Sequence, residues 1–212
     1  MLANLKIREF LERTASSAPV PGGGSIAALS AAASASLSEM VANLTIGRKG
    51  FEAIENEMKE IAKDAFHYRG KLVQDIDRDS DAFNDVVSAY KLPKGTEEDR
   101  RNRNRAIQEG LKNAALVPLG VARDAFKLME LAKKLVESAN KTAVTDAAVA
   151  AIMARSAVLS ALYNVKINLV SITDKGFVLD VTKQVEHMEK ETEKREKEIL
   201  SAILFWPRKE TA

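Results

Sequence analysis

Aspartates alternate along one segment near the middle of the chain, at Asp75, Asp77, Asp79 and Asp81. A run of charges is usually the solvated face of a helix, but helical geometry separates these acids. At about 100° per residue, Asp79 falls at the edge of the apolar arc of its helix and Asp77 just outside it. Asp81 points to the opposite side. We therefore predict that Asp79 is the partly buried acid of this group.

A partly buried aspartate transfers protons at neutral pH only if its pKa rises. An ordinary aspartate, with a pKa of about 3.9, is protonated in only about one molecule in a thousand at neutral pH. Burial and a neighbouring carboxylate both raise the pKa of such a group. Asp79 is expected to be partly buried with Asp75 one helical turn away, so a raised pKa is predicted there.

A loop rich in proline and glycine, residues 19–25, precedes a helix of small residues and offers a second kind of chemistry. Its glycines permit backbone conformations that a β-carbon forbids, and Ser25 is predicted to be the helix N-cap. Free N–H groups at a helix start attract phosphate or carboxylate. The spacing matches neither the P-loop nor the dinucleotide-binding motif, so a tight turn between helices is the alternative. The candidate substrate contacts here are Pro21, Gly22, Gly23, Gly24 and Ser25.

Polar residues in an otherwise apolar segment, residues 143–169, form a third set: Asp146, Asn164 and Asn168. The asparagines are four residues apart and share a helix face. An unpaired buried amide costs about 1–3 kcal/mol, so bonds to the backbone of a neighbouring helix are one interpretation. The other is a polar pocket, because amide groups match planar heterocycles that alternate donors and acceptors.

The composition argues against several classes of function. The formal net charge is +2, from 32 basic and 30 acidic residues, which does not favour a dedicated nucleic-acid binder. Cysteine is absent and only His67 and His187 offer imidazole, so we expect neither a metal site nor thiolate catalysis. Charges near the N-terminus, and Arg155 and Lys166 in the apolar runs, argue against a signal peptide and a membrane span. We expect a cytoplasmic protein.

Long helices must position these groups, because no alternating strand pattern of useful length occurs. Helices are predicted over residues 3–14, 25–45, 51–92, 96–138, 143–169 and 175–205. The third is one long helix or two nearly collinear ones, and Pro118 is a candidate kink in the fourth. We predict an all-α fold, a single multihelical domain over residues 1–212 packed around long buried helices.

Six short segments occur in a fixed order: PVPGGGS at 19–25, LTIGRK at 44–49, DRDSDAF at 77–83, KLPKGT at 91–96, TD at 145–146 and YNVKINL at 163–169. Each is loose by itself, but the ordered set is fairly specific and covers most of the chain. Together they resemble the cyclodeaminase domain of formiminotransferase-cyclodeaminase and the related bacterial methenyltetrahydrofolate cyclohydrolases.

The resemblance implies a multihelical fold and a homodimer with tetrahydrofolate sites near the subunit interface. It also implies a catalytic aspartate in the segment 77–81, where the burial argument favours Asp79 over Asp77. The substrate would be a tetrahydrofolate derivative, without metal, nucleic acid or membrane as partner. These 212 residues include no formiminotransferase domain, so a separate formiminotransferase could feed the protein.

The leading hypothesis is a cyclodeaminase, an ammonia-lyase of histidine degradation. It would convert 5-formiminotetrahydrofolate to 5,10-methenyltetrahydrofolate and ammonia, with the aspartate as acid and base. Hydrolysis of the methenyl compound to 10-formyltetrahydrofolate needs the same groups and is the nearest alternative. A helical folate-binding or scaffold protein without turnover is the alternative from another class, and RNA binding through the arginines of residues 100–105 comes last.

The remaining candidate residues take their roles from this hypothesis. Asn164 and Asn168 are candidate pterin contacts, and the glycine loop is a folate-contacting wall. Arg48 and Lys49 would attract the glutamate tail, an interaction that salt weakens. Asp146 belongs to the same candidate binding set.

Overall fold

Six α-helices make up most of residues 1–203, the part of the chain that the computed structural model describes. They are α1 (Ile7–Thr14), α2 (Gly23–Asn43), α3 (Glu55–Tyr90), α4 (Glu97–Ser138), α5 (Val144–Leu169) and α6 (Lys175–Ala202). Short 3-10 turns lie at Leu2–Asn4, Glu52–Ile54 and Lys141–Ala143, and no strand occurs among the described residues. The prediction of an all-α fold is confirmed. The single domain over the whole chain stays a prediction.

Helices α2 and α5 pack against each other at the centre of the bundle. The side chains between them are mostly alanine and serine, so the two backbones approach closely. Ser34 Oγ donates a hydrogen bond to the carbonyl of Ala150 at 2.8 Å, and Ser30 Oγ donates to that of Met153 at 3.0 Å. Helix α3 flanks α2, α6 flanks α5, and α4 packs against both central helices.

The long helices begin and end where local chemistry dictates. Thr96 caps α4, because its hydroxyl accepts from the N–H of Asp99 while the Asp99 carboxylate accepts from the N–H of Thr96. Helix α3 is one continuous helix, which ends before Pro93. Helix α4 continues through Pro118 to Ser138, as predicted, and the kink at Pro118 stays a prediction.

Two local expectations differ from the structure. Helix α2 begins at Gly23 with Gly22 as the N-cap, so the prediction that Ser25 is the N-cap is wrong. Helix α5 is not covered on all sides, since Tyr163 and Ile167 are 69% and 68% exposed. The predicted end of α6 at Phe205 lies outside the described residues, and the structure gives Ala202.

Two segments, Gly23–Asn43 and Lys141–Leu169, are long and apolar enough to cross a membrane by length and composition alone. Their most apolar windows are 56% and 44% buried within the fold. Core helices of soluble proteins meet the same criterion, so this finding carries little weight.

Candidate active site

A pocket of about 300 Å³ opens at the N-terminus of α2, where that helix meets α3, α4 and α5. Its polar groups are Asp79, Asn164 and Asn168, which come from two helices that are far apart in the sequence. The rest of the wall is apolar or glycine: Pro19, Val20, Gly22, Gly23, Gly24, Phe83, Val86, Ala114 and Ile167. The pocket therefore unites the three sets of residues that the sequence singled out.

Asp79 lies across the first turn of α2. Its Oδ2 is 2.9 Å from Ser25 Oγ, and the backbone N–H of Ser25 also donates to the carboxylate. Ser25 Oγ is in addition 3.0 Å from the carbonyl of Ile76 and 3.3 Å from Ser80 Oγ. A carboxylate from α3 thus takes the place of a capping side chain at the start of α2.

This contact depends on glycine at position 24. A β-carbon added there would lie 1.9 Å from Asp79 Oδ1, a separation that side chains do not adopt. At Gly23 an added β-carbon would lie 3.2 Å from the amide nitrogen of Asn164. The glycines allow α3 and α5 side chains to reach the backbone of α2.

Asp79 has no cationic side chain beside it among residues 1–203. Burial raises its pKa from the ordinary value of 3.8, while the hydroxyl and backbone N–H of Ser25 oppose the rise. No Lys, Arg or His among residues 1–203 lines the pocket or bonds this carboxylate. The rise therefore comes from burial, which is one of the two causes predicted from the sequence, and no neighbouring acid contributes to it.

Asp75 is the more deeply buried acid, at 2% exposure, but it does not line the pocket. Burial raises its pKa, and Lys71 and Arg78 counteract the rise, with Arg78 Nη1 at 2.7 Å from Asp75 Oδ1. Asp77 accepts hydrogen bonds from the backbone N–H groups of Leu2 and Ala3, which ties the N-terminal turn to α3.

Asn164 and Asn168 bond backbone groups and also line a pocket, so both interpretations of their spacing hold. Asn164 Nδ2 donates to the carbonyl of Ser160 at 2.9 Å. Asn168 Nδ2 donates to the carbonyls of Ala114 and Asn164, at 2.9 and 2.8 Å. Both side chains also line the pocket, so each is held by backbone groups while it faces the cavity.

Other candidate residues lie elsewhere in the chain. Pro21 and Ser25 are buried behind the pocket wall and do not line it. Arg48 and Lys49 follow the C-terminal end of α2, a helix about 30 Å long whose other end carries the pocket. Asp146 is in the first turn of α5, about 27 Å along the helix from Asn164. Their predicted roles in binding stay predictions.

Sequence reasoning missed the apolar part of the wall. Phe83 and Ile167 are hydrophobic, which is typical of core positions, yet they are 39% and 68% exposed. Helical spacing offered a signal, since Phe83 follows Asp79 by one turn and Ile167 lies between the two asparagines on the same face.

No three His, Asp or Glu side chains within residues 1–203 lie close enough together to hold a metal ion. The expectation of a metal-free site stays a prediction. The chemistry that the described side chains offer is proton transfer at Asp79 and hydrogen bonding at the two amides.

Replacing Ser25 by alanine is expected to raise the pKa of Asp79 further. The variant loses the hydroxyl that stabilises the ionised carboxylate, whereas the backbone N–H at position 25 remains. The carboxyl carbon of Asp79 can be followed by NMR in protein with ¹³C-labelled aspartate, assigned by its loss in Asp79→Asn. The free energy of unfolding should fall by about 1 kcal/mol, as for a lost buried hydrogen bond.

Ser34→Ala is the matched control for this prediction. Ser34 is on the same helix, is equally buried at 0% exposure, and donates to a backbone carbonyl of α5. It should lose similar stability and leave the titration of Asp79 unchanged. Equal titration curves for Asp79 in Ser25→Ala and Ser34→Ala would contradict the role assigned to the Ser25 hydroxyl.

Comparison with known proteins gives one family. The family model described as Formiminotransferase-cyclodeaminase matches residues 6–187. A methenyltetrahydrofolate cyclohydrolase of Methylorubrum extorquens is 39% identical over 186 residues, which are 88% of this chain and 89% of that protein. A formimidoyltransferase-cyclodeaminase of Sus scrofa is 35% identical over 87% of this chain, but the match spans only 34% of that longer protein.

A solved structure has the same fold. The crystal structure of a formiminotetrahydrofolate cyclodeaminase from Thermotoga maritima matches with a TM-score of 0.86 and 32% sequence identity. The match covers 96% of this chain and 98% of the other. Proteins named for either of two activities therefore match most of this chain.

Proposed function

The chain belongs to the formiminotransferase-cyclodeaminase family, and on that premise we propose that it converts 5-formiminotetrahydrofolate to 5,10-methenyltetrahydrofolate and ammonia. The resemblance that the sequence motifs suggested is thereby confirmed at the level of the family. The particular reaction is the proposal, and it rests on the chemistry of the pocket.

The observation that carries the proposal is the unpaired carboxylate of Asp79. A partly buried anion without a cationic side chain beside it is costly unless a ligand supplies the positive charge. A protonated formimino group is a cation, and so is the methenyl product. Either would supply the cationic partner that Asp79 lacks among residues 1–203.

The reaction needs one proton moved between two nitrogens of a single molecule. N10 attacks the carbon of the protonated formimino group, which N5 already holds, and forms the N10–C bond. Asp79 removes the proton from N10 and delivers it to the former imino nitrogen, which leaves as ammonia, while the positive charge remains on the methenyl bridge. The carboxylate ends in the state in which it began, and the pocket contributes by holding N10 against the carbon.

Hydrolysis of 5,10-methenyltetrahydrofolate is the second candidate function. The relative from Methylorubrum extorquens is named a cyclohydrolase and matches 88% of this chain, which favours this second function. Asp79 would then take a proton from the attacking water, and the cationic substrate would again pair with the carboxylate. The same pocket serves both reactions because they share the methenyl compound.

The deciding experiment offers purified protein each substrate separately. Ammonia release and growth of the methenyl absorbance with 5-formiminotetrahydrofolate, above the uncatalysed rate, are the expected result. Loss of that absorbance with 5,10-methenyltetrahydrofolate alone would make the protein a cyclohydrolase. No acceleration of either reaction, with measurable folate binding, would leave a folate-binding protein without turnover and overturn both candidate activities.

We further propose that the protein is a homodimer through the uncovered face of α2 and α5. Leu29 and Met40 of α2 are each 38% exposed, and Val149 of α5 is 46% exposed. This apolar face continues to Tyr163 and to Ile167, which is part of the pocket wall. A second copy of the same face supplies matching apolar surface, and the site then lies at the edge of the interface.

An antiparallel pairing of α2 with its copy would bring the partner's basic loop towards this pocket. Arg48 and Lys49 are at the opposite end of α2 from Asp79 in one chain, too far to hold the glutamate tail of a folate bound there. We therefore predict that Arg48→Ala/Lys49→Ala raises KM for a polyglutamyl substrate roughly 5- to 10-fold at low salt, with kcat little changed. Added salt should reduce the difference between the two proteins.

Mixed dimers test which chain supplies the basic residues. Dimers of one Asp79→Asn subunit and one Arg48→Ala/Lys49→Ala subunit should regain one site with both groups intact, with the wild-type KM. If the basic residues serve the pocket of their own chain, no site in the mixed dimer is intact and KM stays high. The second result would exclude the antiparallel arrangement.

A further inference from the structure

The side-chain amide of Asn168 has no hydrogen-bond donor left for a ligand. Its nitrogen carries two N–H groups, and they are directed at the carbonyls of Ala114 and Asn164. A carbonyl oxygen only accepts, so these two contacts determine which side of the amide is nitrogen. Within residues 1–203 no protein donor bonds Oδ1, so the atom that Asn168 offers to the pocket is an acceptor.

The carbonyl of Ala114 is free to bind Asn168 because of a proline four residues later. In a regular helix the carbonyl of residue 114 would accept from the N–H of residue 118. Position 118 is Pro118, which has no N–H, and a proline ring inside a helix crowds the carbonyl four residues before it. Asn168 from α5 fills the place of the missing donor at 2.9 Å.

We propose that Pro118 is a positioning residue that, through the carbonyl of Ala114, fixes the Asn168 amide with Oδ1 as a selective acceptor for an N–H group of the ligand. Pro118 does not line the pocket, and so it acts only through this carbonyl. The contact gives a role to a proline that lies buried inside α4, where proline is otherwise the least favourable residue for a helix.

The nature of the ligand group rests on the proposed function. A pterin ring has an edge that carries the 2-amino group and the neighbouring ring N–H, both of them donors. We assign Oδ1 to the 2-amino group, so the fixed acceptor favours a ligand that carries this group over one that lacks it, because Oδ1 would then be buried without a partner. Asn164 keeps one amide N–H and its own oxygen free, and so it can meet either kind of atom.

The first test compares the affinities of tetrahydrofolate and its 2-desamino analogue. Wild-type protein should prefer the amino compound by roughly 10- to 100-fold, the factor for one buried polar group left unpaired. Asn168→Ala should lose most of this preference. Pro118→Ala should lose part of it, since the restored N–H at position 118 draws the carbonyl of Ala114 back into the helix. Asn113→Ala, an exposed asparagine of α4, is the control and should keep the full preference.

The second test needs no ligand and separates this inference from the proposed function. In ¹⁵N-labelled wild-type protein, both side-chain amide protons of Asn168 should exchange slowly with water. In Pro118→Ala at least one should exchange faster, while the free energy of unfolding is unchanged or higher, because a proline inside a helix is removed. If both amide protons of Asn168 exchange as slowly in Pro118→Ala as in the wild type, the role of Pro118 is overturned.

The outcomes of the two tests are distinguishable. If the exchange results are as expected but no folate binds, the proposed function fails and the fixed orientation of Asn168 stands. If folate binds and Asn168→Ala retains the preference for the amino compound, the selective acceptor is wrong while the folate assignment stands. A preference lost in Asn168→Ala and reduced in Pro118→Ala, with faster exchange in the latter, supports the whole inference.

Discussion

Asp79→Asn is expected to lower kcat/KM about 10²- to 10⁴-fold, the range found when a general acid or base is removed. The asparagine has the same shape, and its oxygen can still accept from the hydroxyl and backbone N–H of Ser25. It cannot take a proton from N10 or offer a negative charge to the cationic substrate. Steady-state kinetics with the substrate that proves active measures the loss.

The same variant should be at least as stable as the wild type at neutral pH. Burial raises the pKa of Asp79 above 3.8 in the folded protein, so ionisation opposes folding. The contribution of Asp79 to the free energy of unfolding is therefore fully present below pH 3.8, where Asp79 is protonated in both states. It is lost as the pH rises through the pKa of Asp79 in the folded protein. Asparagine has no such loss, so its advantage in the free energy of unfolding should grow from acid to neutral pH.

Two other aspartates of α3 are the controls for Asp79→Asn. Asp81 is exposed, and Asp81→Asn should keep kcat/KM and stability close to wild type. Asp77→Asn should lose up to about 1 kcal/mol of stability, because it weakens the bonds to Leu2 and Ala3, and should keep most of its activity. A large loss of activity in Asp77→Asn with an active Asp79→Asn would transfer the catalytic role to Asp77.

The helices were predictable because their signals are local. The helix predicted over residues 51–92 corresponds to α3, and the helix predicted from residue 96 corresponds to α4, where Thr96 and Asp99 form a capping box. The start of α2 was predicted wrongly for the opposite reason. Ser25 has the right residue type for an N-cap, but the acceptor at this helix start comes from Asp79, 54 residues away in the sequence.

The composition of the site was predictable only in part. Polar residues in apolar surroundings, such as Asn164, are conspicuous in a sequence, and so is the glycine loop. Phe83 and Ile167 are not, since a hydrophobic residue at helical spacing is usually part of the core. The apolar arc also failed to order the acids by burial. The arc indicated that Asp79 is the most buried acid, whereas the structure shows that Asp75 is. Asp75 can be buried because Lys71 and Arg78 compensate the charge of its carboxylate.

Periodicity gives the direction of a side chain from its own helix, but not the helix that it meets. The bond from Asn168 to Ala114 joins α5 to α4 across 54 residues, and the approach of Asp79 to Gly24 joins α3 to α2. The sequence marks these two contacts only through missing groups. Pro118 lacks the N–H that would occupy the carbonyl of Ala114, and Gly24 lacks the β-carbon that would exclude Asp79.

Gly24→Ala is expected to abolish activity nearly as completely as Asp79→Asn, about 10²-fold or more in kcat/KM. The new β-carbon would lie 1.9 Å from Oδ1 and 2.5 Å from Cγ of Asp79, so the carboxylate must leave its position over α2. Alanine is otherwise better than glycine in a helix by about 0.5–1 kcal/mol. The protein should therefore fold, with a displaced Asp79.

A double-mutant cycle tests whether this clash is the cause. In an Asp79→Ala background the colliding atoms are gone, so Gly24→Ala should cost no further activity and should raise the free energy of unfolding. Gly70→Ala is the matched control, because Gly70 lies within α3 and a β-carbon there meets nothing within 4 Å. It should be stabilising and fully active. Full activity in Gly24→Ala would mean that the reaction does not need Asp79 against the first turn of α2, and the catalytic assignment would lose its geometric basis.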